Sequence, residues 1–172
     1  RTEENDDCDK GFFCMTKTSG STGQGFCLEF CVPNDPSSCE YGGTCQPFND
    51  GVLPLCEEEC DPLLQDCPND MVCCAAFDIF ICAYYGGEDD GGNDGDDCYT
   101  VQSCHKGLVC VNPDAYGADC AGEACCTFFC DTNDGGAGNP ACTNGAHECV
   151  PWFEDGAAPP RYQTVGACMV PQ

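Results

Sequence analysis

Apolar residues in this chain come in short runs, and nowhere do they follow the 3.6-residue period of an amphipathic helix. The clearest runs are FFCM at 12–15, VLPLC at 52–56, IFICAYY at 79–85 and LVCVN at 108–112. Gly, Pro, Asn and Asp break the chain every few residues between them. Runs of this length bounded by turn residues predict short β-strands joined into hairpins. A single turn of helix is predicted over Pro62–Gln65, with Asp61 as its cap and Pro62 in the first helical position.

Composition changes the picture in one respect. Leu, Ile, Val and Phe number 27 in 172 residues, and the formal net charge is -25. Taken alone, that mixture describes a disordered chain. The 22 cysteines reverse that expectation, because they suffice for eleven bridges. Each bridge typically stabilises a fold by ~2–4 kcal/mol. The expected fold class is a small disulfide-rich protein, mostly irregular, with short antiparallel β-hairpins. Such a chain matures in an oxidising compartment, so it is expected to be secreted and to reside extracellularly or at a cell surface. It begins with Arg1 and carries no apolar leader, as expected of a processed form. No stretch is long and apolar enough for a transmembrane helix.

Five basic residues stand against 30 acidic ones. That balance argues against nucleic acid or an anionic membrane as partner. It suits divalent cations, basic partners or simple solubility.

The cysteines repeat with a pattern. Taking four positions a, b, c and d, the frames are Cys31, Cys39, Cys45, Cys56; then Cys60, Cys67, Cys73, Cys82; then Cys98, Cys104, Cys110 with Cys125 or Cys126; then Cys130, Cys142, Cys149, Cys168. Cys8, Cys14 and Cys27 fit b, c and d of a leading frame that lacks its first cysteine. A fixed internal spacing of this kind marks a tandem array, here of about five repeats. Residues 86–97 interrupt it with an acidic, Gly-rich stretch that reads as a linker. The expected domains are therefore 1–85 and 98–172, each with an even cysteine count.

The segment Cys39-Glu-Tyr-Gly-Gly-Thr-Cys45 resembles the second-to-third cysteine segment of epidermal-growth-factor-like modules. The likeness covers about 30 residues and stops after Cys56, where three residues rather than one precede the next cysteine. That family joins its first cysteine to its third and its second to its fourth. The resemblance thus implies Cys31–Cys45 and Cys39–Cys56. Extended to the other frames it implies Cys8–Cys27, Cys60–Cys73, Cys67–Cys82, Cys98–Cys110, Cys104–Cys126, Cys130–Cys149 and Cys142–Cys168. The cysteines this scheme leaves over would pair as Cys14–Cys74 and Cys120–Cys125. Over roughly residues 55–172, the segments GDDCYTVQSCHKGLVCVN, CCTFFCDTND and ECVPWFEDGAAPPRYQTVGAC resemble cysteine-rich secreted or surface proteins of myxobacteria and related bacteria. That likeness implies compartment and fold; no biochemical function comes with it.

Candidate chemistry is sparse. There is no Cys-x2-Cys pair for structural zinc or a thioredoxin-like role, and only His105 and His147 are available as imidazoles. Calcium is the metal to consider, on the oxygen-rich turns holding Asp131, Asn133 and Asp134, and Asp90, Asn93, Asp94 and Asp96. Neither turn completes an EF-hand. No other cofactor is expected, and no nucleophile motif points to an enzyme. The Ser/Thr-rich loop with Thr16, Thr18, Ser19, Ser21 and Thr22 is a candidate for O-glycosylation. In a one-layer array, one of each adjacent aromatic pair would face outward; Phe13, Tyr85, Phe129 and Trp152 are the candidate interaction residues. The reading that results is a secreted, non-enzymatic structural protein that self-associates into an extracellular fibre, coat or adhesin. The alternative is a soluble binding module: a growth-factor-like ligand, a glycan binder, or a protease inhibitor presenting loop 46–55 or 111–119. In either case the partners are further copies of the chain, or extracellular proteins or glycans.

Overall fold

The structure is a computed structural model; it describes residues 8–16, 25–68, 71–76, 78–84, 92–120, 122–134 and 141–171. Its secondary structure is short strands and turns closed by disulfides, as a small cysteine-rich fold requires. The chain divides into two compact units, residues 1–59 and 60–172.

The first unit holds two hairpins. Strands β1 (Phe12–Thr16) and β2 (Gly25–Glu29) pair antiparallel, with Cys14 opposite Cys27. Strands β3 (Thr44–Phe48) and β4 (Leu53–Glu57) form the second hairpin, with Cys45 opposite Cys56. Its turn runs through Asn49, Asp50 and Gly51, all at positive φ, which Asn, Asp and Gly tolerate best. The hairpins meet where Phe30 bridges Leu55 and the Cys31 N–H donates to the Pro54 carbonyl at 3.2 Å. Leu55 is fully buried, and a cluster of buried sulfur is formed by Cys31, Cys39 and Cys56, with Cys45 packed against them. At Gly43 a side chain is excluded twice over, by a φ of +94° and by the Glu57 carbonyl, which a Cβ would strike.

The second unit holds a hairpin and a four-stranded sheet. Strands β5 (Met71–Ala76) and β6 (Ile79–Tyr84) pair with Cys73 opposite Cys82. Strands β7 (Leu108–Val111), β8 (Cys125–Asp131), β9 (Glu148–Pro151) and β10 (Val165–Met169) form an antiparallel sheet in the order β7-β8-β10-β9. The third and fourth cysteine frames thus share one sheet, with Cys110 opposite Cys126 and Cys149 opposite Cys168. The buried Thr127 hydroxyl donates to the Cys168 carbonyl at 2.6 Å, tying β8 to β10.

This unit has an aromatic core. Phe80, fully buried on β6, lies 5.5 Å from the ring of Phe129, 5.0 Å from Tyr162 and 6.1 Å from each of Trp152 and Phe153. Edge-to-face packing of this kind adds to the area buried. The packing joins residues on both sides of 86–97, so the division falls between Glu59 and Cys60 rather than at that stretch. Residues 92–97 are also not a linker. Gly92 bridges Cys104, Asp97 bridges Cys125, and the Gly95 N–H donates to the Cys126 carbonyl at 2.9 Å.

At Pro62–Gln65 the chain makes one turn, closed by the Gln65 N–H on the Asp61 carbonyl at 2.8 Å and capped by Asp61 Oδ1 on the Leu63 N–H. The α-helix is elsewhere: α1 (Pro113–Tyr116), capped by Asn112, whose Oδ1 accepts from the Ala115 N–H at 2.8 Å. Asn112 thus ends the run LVCVN instead of continuing the strand.

Candidate functional site

The repeated site is the disulfide frame. In every complete frame, c and d stand directly opposite on paired strands, yet each is bonded to the segment before it. The structure joins Cys31–Cys45 and Cys39–Cys56; Cys60–Cys73 and Cys67–Cys82; Cys98–Cys110 and Cys104–Cys126; Cys130–Cys149 and Cys142–Cys168. Cys8–Cys27 and the short bridge Cys120–Cys125 complete the ten. The a–b segment is thereby clamped twice across each strand pair, and a hairpin too small to be stable alone is held closed.

Cys14 and Cys74, paired above only as leftover cysteines, are not among the ten bridges, and both residues are thiols. Cys14 occupies c of the one frame without an a cysteine, and Cys27 opposite it is already bonded to Cys8. Cys74 follows Cys73 on β5, so strand alternation turns it to the other face from the Cys60–Cys73 bridge. It is buried there, with its sulfur 3.7 Å from the Ile81 carbonyl.

Among the described residues, the groups of three or more ligand atoms within reach of one ion are sulfur sets, such as Cys31, Cys39 and Cys56. Every one of those sulfurs is in a disulfide, whereas a metal is held by the thiolate. The candidate calcium residues lie in separate turns and are engaged locally. Asp131 Oδ1 accepts from the Asn133 N–H at 2.9 Å, with Asn133 and Asp134 exposed. Asp96 Oδ2 accepts from the Asn93 N–H at 2.8 Å and from its side-chain amide at 3.0 Å, and these bonds hold its carboxyl below the usual range. Asp94 accepts from the Tyr116 and Thr143 hydroxyls at 3.3 and 3.2 Å. Asp90 lies outside the described residues.

Among the described residues Gln46, Glu57, Thr127 and His147 are buried polar side chains, and the sequence pattern foretold the burial of none of them. His147 is buried edge-on to the Tyr116 ring, and its Nε2 donates to the Tyr116 carbonyl at 2.7 Å. Glu57, at the end of β4, is only 7% exposed, and burial pushes its carboxyl up to about 7. Its one sequence signal is position: it directly follows Cys56 on a strand whose partner residue is Thr44.

The aromatics expected at the surface divide. Phe129 is buried and Trp152 half-buried, both because Phe80 gathers them. Phe13 is half-buried on β1, with its ring 6.2 Å from Phe30. Tyr85 lies outside the described residues, as do Thr18, Ser19, Ser21 and Thr22 of the candidate glycosylation loop; Thr16 ends β1. Among the described residues the large exposed apolar side chains of the first unit are Met15, Phe30, Val32, Tyr41 and Val52, with Phe30 44% and Tyr41 76% exposed. Of the loops considered for inhibition, 46–55 is the β3–β4 hairpin and 111–119 contains α1.

No described helix is long and apolar enough to cross a membrane. No family model, curated protein or solved structure matches the chain.

Proposed function

We propose that this protein is a durable extracellular structural subunit that associates with copies of itself into a fibre or surface coat. The observation that carries the reading is the construction of the frames. Twenty of the 22 cysteines are engaged in bridges, and eight of the ten bridges lie in pairs over opposed c and d positions. Such bridges stabilise by restricting the unfolded chain, and they belong to oxidising surroundings. The exposed apolar residues of the first unit supply contact area beyond what its own fold uses. The net charge of -25 opposes association, so contacts must be apolar or strand-to-strand and strengthened by salt. Sedimentation and negative-stain microscopy of the full chain at physiological salt test this: polymers are expected, and monodisperse monomer at high concentration would overturn it.

A further inference from the structure

We infer that the outer edge of β1 pairs antiparallel with β1 of a second copy, centred on Cys14, joining two hairpins into one four-stranded sheet. The inference rests on the self-association reading and names the surface that would carry it.

The hydrogen-bond pattern comes first. The Phe30 N–H donates to the Gly11 carbonyl at 3.0 Å, and the same register sets Phe13 opposite Leu28 and Met15 opposite Phe26. In an antiparallel ladder, bonded and non-bonded pairs alternate. The odd residues of β1 are therefore bonded to β2, and the N–H and C=O groups of Phe12, Cys14 and Thr16 point away from it. The Phe12 N–H is already engaged by the Asp9 carbonyl at 3.1 Å. What remains is self-complementary about a two-fold axis at Cys14. The Cys14 N–H meets the carbonyl of the partner's Cys14, and the Thr16 N–H meets the carbonyl of the partner's Phe12. Each bond is repeated by symmetry, and no donor faces a donor.

This edge is also unguarded. Edge strands are normally protected by proline or charge. Strands β3, β4 and β9 each contain a proline, Pro47, Pro54 and Pro151. The far side of β2 meets β4 through Phe30 and Leu55. Strand β1 reads FFCMT, with neither proline nor charge, and among the described residues no strand pairs with its outer side. On a chain with 30 acidic residues, an uncharged edge is where a second copy can approach without setting carboxylate against carboxylate.

The side chains agree with a second copy as occupant. Phe13 and Met15 share one face of the hairpin with their partners Leu28 and Phe26, and none of the four is fully buried. In the symmetric register Phe13 lies opposite the partner's Met15, an aromatic–thioether pair, and the apolar face doubles in width. The thiol of Cys14 is half-exposed at the centre of the contact and serves as its reporter; no covalent step is involved.

The test compares the assembly of the full native chain with three variants by sedimentation equilibrium, after mass mapping confirms all ten bridges. Cys14→Pro removes the outward N–H but leaves the bonds to β2. Cys14→Lys sets like charges opposite each other without touching the backbone and carries the test if the proline variant does not fold. Cys14→Ser is the control. At least tenfold weaker association for the proline and lysine variants is expected, with the serine variant close to native. Native-strength assembly of the lysine variant would overturn this contact and leave self-association standing. A native chain that stays monomeric would overturn both.

Discussion

Cys45 and Cys56 face each other across β3 and β4, yet Cys45 is bonded to Cys31 and Cys56 to Cys39. The hairpin is closed by cross-links to the preceding segment, not by a rung between its own strands. Partial reduction and mass mapping should recover those two bridges, and a Cys45–Cys56 bridge would contradict the frame. Replacing Cys39 and Cys56 together by Ala opens a loop with a sequence separation of 17. The expected loss is about 3 kcal/mol in denaturant unfolding of the first unit.

The two thiols differ in access. Cys14 is half-exposed and Cys74 only 2% exposed. A maleimide should label one cysteine per native chain, at Cys14. A second label should appear at Cys74 only in denaturant without reductant. Native labelling at Cys74, or no thiol at all, would contradict the assignment.

Glu57 makes the first unit sensitive to pH. Its folded-state pKa of about 7 lies above the ordinary 4.5 because burial penalises the charged form. The folded state therefore binds the proton more tightly than the unfolded chain. Stability is fully present below about pH 4.5, falls as pH rises toward 7, and is flat above it as far as this group is concerned. The size of the fall is on the order of 3 kcal/mol. Glu57→Gln should remove that slope and raise the melting temperature at pH 8; an unchanged slope would show that another group carries it.

Phe80 is the keystone of the second unit. Phe80→Ala removes a fully buried ring from contact with Phe129, Trp152, Phe153 and Tyr162. A loss of about 3–5 kcal/mol is expected. Tryptophan fluorescence should shift to the red as Trp152 gains water.

The sequence by itself determined what is local. Cysteine spacing laid out the frames, because the bridges span between 5 and 26 residues and the short hairpins leave each sulfur few neighbours. Turn residues placed the strand ends for the same reason, and Asp61 capped the turn expected of it. Tertiary structure alone decided what depends on residues far apart. Phe80 lies well before the acidic stretch and the rings it packs against lie well after it, so the unit boundary moved to Glu59–Cys60 and Phe129 went inside. Pairing by remainder matched Cys14 with Cys74, although Cys14 is half-exposed in the first unit and Cys74 is buried in the second. The open edge of β1 was equally hidden, because which backbone groups point outward depends on register with β2. A pattern of residue types carries spacing and preference; it does not carry the direction in which a side chain or a carbonyl finally points.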